Sequence, residues 1–279
     1  MTPRKPWSNL HLPPPNNPAG VYTIGSINQL PDAEKRAIYA RAVPPQLLEK
    51  YTIPAEMFDT EGRDLLRLEC PRGSTDAEIA LFHEYGFPDP VLHGHITDTL
   101  NGQIHILFYQ LNDPFSPRFD VDRTPDGRDT QLGTACRNLE AEAAALRAGL
   151  APGQIRRGPH LLRAAMRTFE EFVRTLGHDL HFAEPLFYHN AVIFERFGFA
   201  YQRGRRLMER IQRGFAPGGD LLPLLDGSTP FRQPEAAHSI RLRSWAIHDG
   251  ILGEPFRDVT MYKRVGVDAE VSTCPDVAW

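Results

Sequence analysis

The sequence predicts an α/β fold in which helices pack on a mixed, α+β-type sheet. Three observations carry this prediction. Two β-rich runs surround Asn101 and Gly102 within Val91–Leu111 and indicate a tight hairpin. Apolar residues then recur at helical spacing, first from about Thr134 to Leu150 and again in HLLRAAMRTFEEFVRTLG. The run HDLHFAEPL has strand composition and precedes a short helix, HNAVIFERFG, an alternation that is typical of a sheet covered by helices.

The composition is that of a globular chain, since 41% of the 279 residues are hydrophobic and 24% are charged. With 35 acidic and 31 basic residues, the net charge of -4 argues against a general nucleic-acid binder. No apolar run is long enough to cross a bilayer, and the start of the chain lacks the apolar segment of a secretory signal. We therefore expect a cytoplasmic protein without a membrane partner.

The domain organisation follows from the proline-rich start of the chain. Residues 1–20 are expected to form an extended arm of the kind that embraces a neighbouring subunit, so a homodimer is expected. Residues 21–265 are expected to form one domain, and 266–279 a C-terminal tail. The three widely spaced cysteines predict neither a disulfide framework nor a four-thiolate zinc site.

The remaining elements follow in chain order. Short helices are expected on both sides of a PP break between Leu30 and Glu49, and another over Thr75–Phe87, which opens with a Thr cap. RFDVD is a possible third strand. FAYQRGRRLMERIQ is expected to be a further strand or a strand-helix hybrid. SWAIHDGILGEPF is expected to be rich in turns, and DVTMYKRVGV has strand composition.

The order helix, strand, short helix, strand between about Leu150 and Ile211 resembles the second half of the GNAT superfamily of acyl-CoA N-acyltransferases. The resemblance is carried by RRG at Arg156–Gly158, the helix after it, the strand HFAEPL, and the later residues Asn190, Ala191, Phe194, Glu195, Gly198 and Phe199. It implies a GNAT-like fold with N- and C-terminal extensions. It also implies transfer of an acyl group from acetyl-CoA or another acyl-CoA to a small-molecule amine.

The resemblance also implies where the cofactor binds. In the family, a glycine loop and the helix N-terminus after it offer N–H groups to the pyrophosphate of the acyl-CoA. The matching positions here are Arg156, Arg157, Gly158 and His160, and Asn190 matches the residue that lies near the pantetheine.

The chain departs from the family pattern at several positions. Ile155 stands where the family has Gln or Arg, and His160 stands in place of a small residue. Phe194 replaces the tyrosine that donates a proton to the leaving thiolate, with Tyr188 and Tyr201 as the nearest substitutes. The loop follows a long helix instead of a strand, so the preceding strand is expected earlier, with RFDVD as the candidate. A non-catalytic GNAT-like binding or scaffold protein is therefore an alternative.

The segment HFAEPLFYHN supplies the candidate catalytic residues Glu184, Tyr188 and His189 at the end of a strand and the start of a helix. This is a usual place for ligand contacts in open α/β sheets. Glu184 is the candidate general base and Tyr188 the candidate general acid. The structural alternative makes Asn190 a helix N-cap and pairs Glu184 with a nearby arginine.

The hairpin histidines suggest a second alternative, a metal-assisted enzyme. With a two-residue turn, Asp98 pairs with His105 and His95 with Phe108, so that His93 and His95 share one face and His105 lies on the other. Two sites stay open: a His93/His95 pair completed from elsewhere, and an Asp98/His105 pair in which the carboxylate orients the imidazole. Asp120 and Asp122 are candidates for a third ligand or for a general base. Solvated polar residues on a half-exposed sheet are the simpler interpretation, and no metal is expected.

Overall fold

The predicted α/β class with a mixed sheet is confirmed. The computed structural model describes residues 20–279, which form seven strands and eight α-helices. The expected N-terminal arm lies outside the described residues, apart from Gly20. Within residues 20–279, no helix combines the length and the apolar character needed to span a bilayer.

The elements and their order define the topology. The helices are α1 (Ile24–Ile27), α2 (Asp32–Tyr39), α3 (Pro45–Lys50), α4 (Leu139–Arg147), α5 (Leu162–Thr175), α6 (Tyr188–Arg196), α7 (Arg205–Phe215) and α8 (Ile240–His248). The strands are β1 (Leu66–Glu69), β2 (Asp76–Leu81), β3 (Leu92–Asp98), β4 (Ile104–Leu111), β5 (Leu180–Ala183), β6 (Ala200–Arg203) and β7 (Thr260–Arg264). They form one sheet in the order β1-β2-β3-β4-β5-β7-β6. The strands β1 to β4 are antiparallel neighbours, β4 and β5 are parallel, and β6 and β7 are antiparallel.

The chain divides into two compact units. The first contains the described residues up to Pro114 together with Gly158–Glu184 and Lys263–Val267. The second contains Phe115–Arg157, Pro185–Tyr262 and Asp268–Trp279. The domain boundaries expected at residues 20 and 265 stay predictions.

Helix α5 forms the centre of the first unit's core, and it forms where its apolar periodicity predicts it. Phe169, Phe172 and Val173 lie on its buried face with at most 1% of their surface exposed. The Phe169 ring packs edge-on against Tyr109 of β4 and His181 of β5, with centroids 6.2 and 5.7 Å apart. Burying each such phenylalanine contributes roughly 1.5–3 kcal/mol to the free energy of folding.

The turn of the β3–β4 hairpin has three residues rather than the expected two. Thr99 and Gln103 close the turn, because the Thr99 N–H donates to the Gln103 oxygen at 2.8 Å. Gly102 takes the left-handed conformation at φ +77°, as the last residue of a three-residue hairpin loop does. Asp98 consequently pairs with Ile104, and the predicted pairing of Asp98 with His105 is wrong.

A bulge at Leu107 of β4 then restores the predicted register. The partner of Ile96 is Ile106 but the partner of His95 is Phe108, so one extra residue lies in β4. Before the bulge, His105 lies opposite Thr97 and therefore on the face of His93 and His95. The expectation that His105 lies on the opposite face is wrong, because it assumed a two-residue turn.

Two further predictions are wrong. The segment predicted as a helix over Thr75–Phe87 contains strand β2, in which Ala77 and Ile79 are buried and the alternate residues Asp76 and Glu78 are more exposed. Pairing with two neighbouring strands outweighs the helical capping signal there. RFDVD is not a strand, since its surroundings contain only the isolated bridge Arg123↔Asp129.

The second unit has its own core, centred on Trp245 of α8. This helix begins at Ser239, whose side chain accepts the Leu242 N–H, and it occupies a region expected to be rich in turns. Trp245 is fully buried and its indole donates to the Leu150 oxygen at 2.8 Å. Helix α4 starts at Leu139, later than the predicted Thr134, because Asn138 caps it by accepting the Ala141 N–H. The predicted α6 is confirmed, and of the two alternatives for FAYQRGRRLMERIQ the strand-helix hybrid forms, as β6 and α7.

Candidate functional site

The glycine loop returns to the end of β4. A methyl group placed on Gly158 would lie 3.6 Å from the Leu111 backbone oxygen, so the chain that leaves β4 comes back beside its last residue. The strand expected before the loop is therefore β4, and its assignment to RFDVD is corrected. Residues 112–157 lie in the chain between β4 and Gly158, which is next to the end of β4 in space.

The start of α5 carries a positive electrostatic environment within the first unit. The Lys50 ammonium donates to the Pro159 oxygen at 3.0 Å, two residues before the helix cap. The cap residue, Leu161, has no polar side chain to bond the first amides of the helix. His160 is exposed and left-handed at φ +61°, a conformation that costs roughly 1–2 kcal/mol. The helix dipole and the ammonium both favour an anion at this place.

The parallel strands β4 and β5 part close to their start. Three residue pairs join them, ending at Ile106↔Ala183. The Glu184 N–H adds a last bond to the Ile106 oxygen at 3.0 Å. β5 ends there, whereas β4 continues to Leu111. β4 therefore continues past the end of its parallel neighbour, and we call this step in the sheet the notch.

Glu184 lies at the C-terminal end of β5, as predicted, and its side chain is exposed. His105 is the cross-strand neighbour of Phe182 and interacts electrostatically with the Glu184 carboxylate. Burial lowers the pKa of His105, and the Glu184 carboxylate opposes that shift. A carboxylate and an imidazole therefore lie together beside the last paired residues of the notch.

Arg156 and Arg157 belong to the second unit, where both bind protein groups. The Arg156 guanidinium donates to the Ser116 backbone oxygen. The Arg157 N–H donates to the Ser116 hydroxyl at 3.2 Å, and the Arg157 guanidinium donates to the Ala148 oxygen at 2.7 Å. The N–H group of Arg157 is thus already used by the protein.

Tyr188, the candidate proton donor, is buried in the second unit with 1% of its surface exposed. Its hydroxyl lies near the Cys274 thiol and the Arg243 guanidinium. Burial raises its pKa above the ordinary value, so the phenol holds its proton tightly. Tyr201, the other substitute, donates to the Glu195 carboxylate at 2.6 Å.

His189 and Asn190 form one hydrogen-bonded group with Ser244. The His189 Nδ1 lies 2.8 Å from the Ser244 hydroxyl, and the Asn190 amide donates to Nε2 at 3.2 Å. Burial, with the nearby His248, lowers the pKa of His189 to about 3, so the imidazole is neutral at physiological pH. The Asn190 oxygen accepts the Phe187 N–H at 3.1 Å, which caps α6 from inside its first turn. Both ends of the Asn190 amide are used.

The hairpin histidines pair with acids of the neighbouring strand. His93 lies 3.5 Å from Glu78, and His95 lies 3.3 Å from Asp76. Burial lowers the pKa of His93. Throughout residues 20–279, no three His, Cys, Asp or Glu side chains are grouped so that they hold one metal ion.

The two acids suggested as further ligands have a different partner. Asp120 and Asp122 lie in the second unit, where both bind the Arg118 guanidinium, Asp122 at 2.7 Å. The geometry thus supports a structural role for both carboxylates.

Sequence reasoning missed three features. Lys50 lies 109 residues before its partner Pro159, so no local pattern connects them. His105 was assigned to the wrong face because the turn has three residues and not two. The third feature is a pocket of about 310 Å³ in the second unit, lined by α6 and the C-terminal segment: Val192, Glu195, Arg196, Asp268, Glu270, Val271, Ser272, Cys274 and Pro275.

Comparison of the chain with protein-family models, with curated proteins and with solved structures found no match. The assignment of function therefore rests on the residues and on their geometry.

Proposed function

We propose that the protein binds an acyl-CoA, such as acetyl-CoA, at the end of β4 and transfers its acyl group to a small-molecule amine. One observation carries the proposal: β4 and β5 part after Ile106, and Gly158 brings the start of α5 to the same end of β4. An extended chain with amide groups, such as pantetheine, is suited to lie along a strand whose neighbour has ended.

The diphosphate of the ligand matches the start of α5. Backbone N–H groups at a helix N-terminus and the helix dipole favour a phosphate. The Lys50 ammonium adds a full positive charge next to Pro159. Of the predicted cofactor residues, this proposal uses Gly158 and His160, and the GNAT resemblance of the sequence around them supports the choice of ligand.

Of the predicted catalytic residues, the proposal keeps only Glu184, which lies in the first unit. Glu184 stays the candidate base, because it is exposed at the end of β5 beside the notch. Tyr188, His189 and Asn190 are held by groups of the second unit, and the proposal gives them a structural role.

A second candidate function is acyl-CoA binding, or scaffolding, without catalysis. It is favoured by the bonds that already engage the Arg157 N–H and both ends of the Asn190 amide. It differs from the first candidate in one respect, because the bound acyl-CoA would not be consumed.

The test is calorimetric titration of the protein with acetyl-CoA. We expect one binding site per chain in the wild type, and at least about a tenfold loss of affinity, or about 1.4 kcal/mol, in Lys50→Glu. Lys263→Glu is the matched control, since Lys263 also donates to a backbone oxygen, that of Val267, at 2.9 Å. Its affinity should equal that of the wild type.

Absence of acetyl-CoA binding to a wild type that circular dichroism shows to be folded contradicts both candidates. Binding without consumption of the thioester, in a screen of primary amines, supports the non-catalytic candidate.

A further inference from the structure

The His105 imidazole occupies a defined position at the base of the notch. Its pairing with Phe182 places it on the sheet face of Phe182 and, two residues on, Glu184. It belongs to the middle of the three pairs that join β4 to β5, one pair before the strands part. Its ring stands edge-on to the Phe182 ring, with centroids 6.3 Å apart.

The protein leaves one nitrogen of this imidazole unused. The Nε2 atom of His105 is buried and has no hydrogen-bond partner among residues 20–279. A buried polar atom without a partner costs about 1–3 kcal/mol, and such atoms in native proteins call for a ligand group or a bound water.

The charge state of the imidazole follows from its neighbours. Burial lowers its pKa, and the opposing influence comes from the Glu184 carboxylate of β5. Its other cross-strand neighbours, Thr97 of β3 and Phe182 of β5, carry no charge, and His95 on the same face is engaged with Asp76. A histidine with a lowered pKa is neutral near pH 7, the form that accepts a proton.

We propose that His105 is a catalytic residue and takes over the role of base from Glu184: it accepts the proton of the nucleophile that attacks the thioester, directly or through one water, and Glu184 acts through it. This inference rests on the proposed function. The amine nitrogen forms a bond to the thioester carbonyl carbon and its proton passes to the imidazole. The C–S bond breaks, and CoA thiolate leaves with the electron pair and takes a proton from water. The imidazolium returns its proton to solvent, and the Glu184 carboxylate stabilises it in the meantime.

The experiment uses acetyl-CoA as the probe and the screened primary amines as acceptors, so that the reaction followed is the proposed transfer. The full-length wild type and His105→Gln are compared by calorimetric affinity for acetyl-CoA and by the fall in thioester absorbance. We expect His105→Gln to bind acetyl-CoA within about twofold of the wild type and to lose about 100-fold or more in the rate of thioester loss. Thr97→Val, which changes the cross-strand neighbour, should leave both values unchanged.

The pH profile separates proton transfer from packing. The wild-type rate should rise with pH through a pKa below the ordinary histidine value, and His105→Gln should lack this rise. Equal rates for His105→Gln and the wild type, or a wild type that binds acetyl-CoA without consuming it, would overturn the role of His105 and leave acyl-CoA binding intact. A wild type that does not bind acetyl-CoA contradicts the proposed function itself.

Discussion

Replacement of Glu142 by glutamine tests the buried charge cluster of the second unit. Glu142, on α4, has 1% of its surface exposed. Its carboxylate accepts bonds from the Arg137 guanidinium, with Nε at 2.8 Å, and lies 3.1 Å from His248 Nε2. Arg137 also binds Asp249 at 2.8 Å, so the replacement leaves that pair in place.

The expected magnitude follows from these contacts. Removing one partner of a buried ion pair costs about 3–5 kcal/mol, and the retained Arg137–Asp249 pair places this case near about 3 kcal/mol. For a chain of this size, such a loss lowers the melting temperature by about 6 to 12 °C. Glu140→Gln, on the exposed side of the same helix, is the control and should change stability by less than about 0.5 kcal/mol.

The stabilisation by Glu142 should depend on pH in a defined direction. Burial alone would raise the pKa of Glu142, but the bonds from His248 and Arg137 outweigh it and hold the pKa below its usual value. A carboxylate with a depressed folded-state pKa stabilises the protein above its unfolded pKa and loses this contribution as pH falls through the folded pKa. The difference in melting temperature between wild type and Glu142→Gln should therefore be full near neutral pH and shrink as the pH falls below the ordinary pKa of a glutamate. A difference that is absent at neutral pH, or that is constant with pH, refutes the assignment.

Two substitutions test the cores of the two units. Phe169→Ala in α5 should lower the free energy of unfolding in urea by about 3–5 kcal/mol, because the ring is 1% exposed and packs on Tyr109 and His181. A loss below about 1 kcal/mol would contradict this packing. Gly153→Ala should destabilise by more than about 1 kcal/mol, because Gly153 has φ +77° and the added methyl would lie 2.4 Å from the Phe187 ring; an unchanged melting temperature would show that the loop moves freely.

Elements with strong local signals were predictable from the sequence. Helix α5 and the α6 helix between two strands each carry their own period and boundaries. β2 was not predictable, because TDAEIALF presents a helix cap and an apolar pattern that also fits a strand, and only pairing with β1 and β3 decides between them.

The geometry of the site depended on features without a local signal. The three-residue turn sets the face of His105, yet Asn101 and Gly102 are the preferred pair for a two-residue turn. Gly158 lies next to Leu111 in space, but residues 112–157 separate them in the sequence, so no local pattern connects them. Glu184 was predictable because it ends a strand, whereas the burial of Tyr188 and His189 comes from α8 and the C-terminal segment, far along the chain.

The most direct test of acyl-CoA binding is the change in backbone amide chemical shifts on addition of acetyl-CoA. We expect the largest chemical-shift changes in the segment from Gly158 to the first turn of α5 and in the part of β4 after Ile106. Changes confined to the second unit, or no changes at saturating acetyl-CoA, would contradict it.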